Sequence, residues 1–121
     1  MKKIFLVLTI LFLTFSVKTI ADTSNSIQQI YEGNEDAKVT IITYESLTCG
    51  HCADFHKNVY PQLKKEFIDT GLVKIEFRHF PLDAAALNAS KIAQCRNDGK
   101  PDLLHFLFSN HKKWVIGETV E

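Results

Sequence analysis

Net charge is the first thing this chain lacks. Its 14 Lys and Arg are balanced by 14 Asp and Glu, so there is no basic excess to hold a phosphate backbone, and nucleic acid is excluded as a partner. Long apolar runs are missing as well. The uncharged stretch Ile4 to Val17 is 14 residues, short of the ~20 that a membrane-spanning helix needs. No internal repeat, low-complexity tract or interdomain linker interrupts the chain, which leaves room for a single small domain only.

What is present at the N-terminus has three parts. A basic tip at Lys2-Lys3, the apolar run and a small-residue site at Thr19-Ile20-Ala21 together read as a secretory signal peptide over residues 1–21, cut after Ala21. That segment carries three lysines and no acid, so the remaining 100 residues hold 11 basic and 14 acidic groups, a net charge of −3. Cys49, Cys52 and Cys95 all stay in the exported part, where thiols can be oxidised. The expected location is the periplasm.

Residues 22–37 read as an N-terminal arm, with Ile27 to Asn34 a short arm or partial strand and Gly33-Asn34-Glu35-Asp36-Ala37 a turn. Residues 38–121 read as the domain proper. Val39 to Tyr44 is nearly all β-branched or aromatic and is expected to be a strand covered on both faces. From Cys52 the period changes to four, through Phe55, Val59, Leu63 and Phe67, which predicts a helix over 50–69 kinked at Pro61. Val73, Ile75 and Phe77 alternate with Lys74, Glu76 and Arg78, so 73–80 is a second strand, expected near a sheet edge because one side is wetter. A strand, a helix and a strand favour a parallel crossover. Asp83 is the expected cap of a helix from Ala84 to about Asn97 with Ala85, Ala89, Ile92 and Cys95 inward. Pro101 opens a last helix running to His111. The fold class is therefore α/β.

Between the first strand and the long helix stands Thr48-Cys49-Gly50-His51-Cys52. A disulfide across two residues adds little by loop entropy, so the pair is better explained by chemistry. At the start of a helix, unpaired N–H groups and the positive end of the macrodipole favour a Cys49 thiolate. Cys52, one turn on, is expected to be more buried and to remain a thiol. His51 adds positive charge or a hydrogen bond near the Cys49 sulfur, making it a better leaving group and the disulfide more oxidising. Gly50 leaves that sulfur uncovered. The candidate catalytic residues are thus Cys49, Cys52 and His51. A zinc site is the rival reading for the cysteines, with Cys95, His51, His56 or His79 as further ligands, but no second ligand pair at recognisable spacing is present. Thiol exchange calls for no small-molecule cofactor and no metal.

Thr43 to His56, Tyr60-Pro61-Gln62-Leu63 and Val73 to Leu82, leading into an alanine-rich helix, resemble the thioredoxin superfamily and, within it, the DsbA-like secreted thiol:disulfide oxidoreductases of bacteria. The resemblance runs from about Ile30 to Trp114. It implies a thioredoxin-like fold, secreted protein thiols or disulfides as substrates, an attacking role for Cys49 and a resolving role for Cys52, and it admits a membrane redox partner. Gly50-His51 is the dipeptide of protein disulfide isomerases, whereas many DsbA relatives carry Pro-His, which leaves oxidase, isomerase and reductase directions open. Family members also carry a cis-proline loop, two further strands and a final helix. None of Pro61, Pro81 and Pro101 matches that proline, so the chain is expected to be an N-terminal portion with part of the helical insertion. A small domain completed by dimerisation is the alternative. The rival functions are an inactive truncated fragment and a zinc or structural-disulfide protein.

Glu45 admits two readings, a proton relay beside the buried thiol or a solvated loop acid. Cys95 is expected to be a small core residue, with an intermolecular disulfide as the alternative. His56, His79, His105 and His111 have no repeated spacing, and surface or strand-end roles are expected for each. Phe106, Leu107, Phe108 and Trp114 are expected in the core or, failing that, on a hydrophobic surface for peptide substrates or a partner subunit.

Overall fold

The structure, a computed structural model, describes residues 26–117. The signal peptide expected over residues 1–21 lies outside the described residues. Three strands form one sheet: β1 (Ile30–Glu32), β2 (Val39–Glu45) and β3 (Val73–His79), in the order β1-β3-β2. β1 runs antiparallel to β3, whereas β2 is parallel to it in a register from Val39↔Val73 to Glu45↔His79. The parallel pair needs a long crossover. It is supplied by α1 (Gly50–Asn58), α2 (Tyr60–Leu63) and a π-helical turn over Lys64–Ile68. After β3 come α3 (Ala84–Gln94), α4 (Asp102–Ser109) and α5 (His111–Trp114). The α/β class and the parallel crossover are as the sequence led us to expect.

The positions of the two long strands are reversed from expectation. β3 is central and β2 is at the edge. The alternation in β3 records its two faces: Val73, Ile75 and Phe77 are buried, while Lys74 and Arg78 pair with Glu76 across the other face at 3.3 and 3.0 Å. Amphipathy along a strand reports on faces and says nothing of how many neighbours it bonds to. β2, expected to be covered on both sides, exposes Ile42 and Tyr44, and on that face Tyr44 meets the Arg78 side chain, whose Nη1 donates to its hydroxyl at 3.1 Å.

The long helix is segmented at Val59, two residues before Pro61. Val59 has φ −109° and ψ −47°, yet its N–H still donates to Phe55 O at 2.9 Å and the Leu63 N–H donates to Val59 O at 3.2 Å. Pro61 falls at the second position of α2, where a missing N–H leaves no intrahelical bond unmade. The path then widens, with the Asp69 N–H reaching back to Lys64 O at 2.8 Å and the Leu72 N–H to Phe67 O at 3.0 Å.

In α3 the inward face is one position off the expected one. Ala86, Ala89, Ser90 and Ala93 are buried, whereas Leu87 and Ile92 are exposed and Cys95 lies exposed beyond the last turn. α4 packs against this face, and the small side chains let the two backbones approach closely. The Ser90 hydroxyl is satisfied by Ala86 O at 2.8 Å. α4 contributes Leu104 and Phe108 to the core around Leu47, Ile75 and Phe77, each large side chain of this kind being worth about 1.5–3 kcal/mol when buried. Phe106 is exposed, and Leu107 and Trp114 pack part-buried against the same core.

Candidate functional site

β2 ends at Glu45, and five residues later the chain enters α1 at Gly50. The short loop is pinned on both sides. Leu47 is fully buried. The Thr48 hydroxyl donates to Asp83 Oδ2 at 2.6 Å and lies 3.2 Å from Ser46 Oγ. Asp83 caps α3 as expected, accepting the Ala86 N–H at 2.7 Å. These contacts fix Cys49 as the N-cap of α1, extended at φ −74° and ψ 123°. Its own N–H donates to Ser46 O and its carbonyl accepts from Ala53 N–H, both at 3.1 Å. No side chain caps the helix and no acid stands in the first turn, so the unpaired N–H groups beside the Cys49 sulfur are unopposed by a carboxylate.

Cys49 and Cys52 are both free and partly buried. Burial pushes the Cys52 thiol up to about 11; the neighbouring Cys49 and the Glu45 charge add to the shift, and a backbone bond at Ser46 works against it. At neutral pH Cys52 is a thiol. His51 stands exposed on the first turn of α1. The third cysteine does not join them: Cys95 sits exposed after α3. Among the described residues no three His, Cys, Asp or Glu side chains gather as a metal site.

Glu45 is no solvated loop acid. It is only 5% exposed and its Oε2 accepts a hydrogen bond from His56 Nε2 at 2.7 Å. His56 is likewise buried, its side chain also 5% exposed and stacked on Phe108 with ring centroids 4.0 Å apart. A surface role had been expected for His56. Two signals in the sequence pointed inward: it lies four residues after Cys52, hence on the same helix face, and Glu45 shares strand parity with the inward-facing Ile41 and Thr43. What the sequence could not show is that strand end and helix face meet.

Other histidines are also drawn inward. His79, opposite Glu45 in the sheet register, is half-buried, and burial lowers its pKa while the Glu45 charge opposes the shift. His105 bonds to Glu32 Oε2 at 3.4 Å. Glu32 also accepts from Lys64 Nζ at 2.5 Å and from the Tyr60 hydroxyl, and these partners, His105 foremost, hold its carboxyl down at about 2. His111 is buried. A cleft of about 800 Å³ opens between α1 and the α4–α5 segment, lined by Gly50, His56 and Lys57 on one side and His105, His111 and Lys113 on the other.

Comparison with known proteins gives a consistent picture. The family model described as thioredoxin matches residues 25–120. Among solved structures, alpha-DsbA1 of Wolbachia pipientis is 38% identical with a TM-score of 0.64, over 71% of this chain and 44% of that one. The oxidised BdbD of Bacillus subtilis is 26% identical with a TM-score of 0.61, over 76% and 52%. A Rickettsia bellii protein, provisionally named a protein-disulfide oxidoreductase, is 34% identical over 86 residues, which are 69% of this chain and 33% of that protein. The chain thus spans about a third of the length of such curated relatives.

Proposed function

This chain belongs to the thioredoxin family and is DsbA-like, and we propose that it exchanges thiols and disulfides in secreted proteins through Cys49 and Cys52. The observation that carries this reading is the placement of Cys49 at the uncapped start of α1 with Cys52 one turn on and held as a thiol. In the oxidised protein, a substrate thiolate attacks the Cys49 sulfur. The Cys49–Cys52 bond breaks, a bond from substrate to Cys49 forms, and the electron pair goes to Cys52, which takes up a proton. A second substrate thiolate then attacks the mixed disulfide and leaves Cys49 and Cys52 reduced. Run backwards, Cys49 attacks a substrate disulfide and Cys52 resolves the intermediate. His51, exposed beside Cys49, stabilises the developing thiolate.

On this reading the segment Met1 to Ala21 exports the chain to the periplasm, and a membrane redox partner restores the disulfide. The experiment that tests the chemistry uses Cys52→Ala in a Cys95→Ser background, activated as a mixed disulfide and mixed with a reduced peptide. Intact mass and peptide mapping should show a peptide adduct at Cys49; its absence sinks the proposal.

A further inference from the structure

The cleft beside the dithiol has a chemical character of its own. Gly50, Ala53, Asp54 and Lys57 line it, and steps of three, one and three residues place them along one stripe of α1. That wall therefore runs from the neighbour of Cys49 to Lys57. Lys112 and Lys113 belong to α5 on the other wall, and Phe108 and Val115 add apolar surface. The lining thus holds three lysines against the single carboxylate of Asp54, in a chain whose residues after Ala21 carry a net charge of −3.

Its two walls also carry unmet polar atoms. His56 Nδ1 and His111 Nε2 are buried with no hydrogen-bond partner, and both residues line the cleft. Such atoms are costly to leave unpaired, and a polypeptide backbone, which offers both N–H and C=O, can meet either. About 800 Å³ is room for a short stretch of chain, the size of an ordinary ligand pocket. Resting on the thiol-exchange reading, we propose that this cleft docks an extended acidic segment of the substrate polypeptide, and so selects cysteines that have a carboxylate about four residues away.

The reach follows from α1. Lys57 stands eight positions beyond Cys49, ~12 Å along the helix, and an extended peptide held at the Cys49 sulfur covers that distance in about four residues. Asp54 lies roughly midway along the same stripe and repels a carboxylate only two residues from the thiol. The charge of the whole molecule works the other way, since a net −3 repels acidic peptides at any position. A preference for acid at one spacing is therefore the signature of the cleft.

Cys52→Ala in a Cys95→Ser background is activated at Cys49 as a mixed disulfide with an aromatic thiol whose thiolate absorbs. Attack by a peptide thiolate joins the peptide sulfur to Cys49, breaks the bond to the aromatic sulfur and releases the coloured thiolate. Three peptides with a central cysteine are compared: glutamate four residues to either side, lysine in the same places, and glutamate two residues to either side. Dividing each rate by that peptide's rate with the free aromatic disulfide removes differences in the peptide thiol itself. At low salt the first peptide should react roughly 10-fold faster than the other two, and the gap should close at about 1 M salt. The double variant Lys57→Gln, Lys112→Gln should bring the rates together, whereas Lys38→Gln, Lys91→Gln, an equal change of charge outside the cleft, should keep them apart. No coloured release and no peptide adduct at Cys49 would overturn the thiol-exchange reading itself. Release without preference for the first peptide, or a preference that the cleft variant keeps or that both double variants lose, would overturn acidic docking alone.

Discussion

The Thr48 hydroxyl donates to Asp83 at 2.6 Å, and the other oxygen of the same carboxylate accepts the Ala86 N–H at 2.7 Å. One side chain thus ties the loop that presents Cys49 to the first turn of α3, across 35 residues of sequence. The Thr48 bond, followed by the backbone bond at Ala86, holds the Asp83 carboxyl below the usual carboxylate range.

Breaking this link should affect stability and the site together. Thr48→Val keeps the shape of a buried side chain and removes the donor. It is expected to lower Tm by about 5 °C, from the loss of one hydrogen bond in a domain of this size. The Cys49 loop should also exchange amide hydrogens faster, read at Thr48 and Cys49 by mass spectrometry.

Alkylation should separate the three cysteines by environment. Exposed Cys95 and the Cys49 thiol at the start of α1 are expected to react with iodoacetamide at pH 7, whereas Cys52, pushed up to about 11, should become reactive only as the pH climbs toward that value. Peptide mapping after timed quenching gives the order directly.

Acid should weaken the fold through Glu32. Its folded pKa is about 2 against an ordinary 4.5, chiefly because His105 hydrogen-bonds the charged form. A depressed folded pKa means that the unfolded chain takes up the proton first. The stabilisation is therefore complete above about pH 4.5 and is lost as the pH falls toward 2. Glu32→Gln should flatten the dependence of Tm on pH in that window, measured by calorimetry in matched buffers.

Leu104 on α4 is 1% exposed against the sheet. Leu104→Ala removes its packing and leaves a cavity, and is expected to cost about 2–5 kcal/mol. Urea unfolding followed by tryptophan fluorescence checks this, since Trp114 packs on the same core and donates to Leu107 O at 2.8 Å.

The sequence by itself determined the local elements and the reactive pair. The spacing of Cys49 and Cys52, at a switch from β-branched residues to a four-residue period, put a dithiol on the first turn of a helix. Asp83 was legible as a cap, and Val73, Ile75 and Phe77 as a buried strand face, because caps and faces are set by neighbours a few residues away. Tertiary structure decided the rest. Which strand is central depends on β1 and β2, both remote in sequence from β3, and the alternation of β3 carries no record of them. The inward face of α3 was chosen by α4, which rotated it by one residue and left Cys95 outside. Glu45 and His56 each carry an unremarkable local signal; only the packing of β2, α1 and α4 brings them together, where low polarity makes one 2.7 Å hydrogen bond matter.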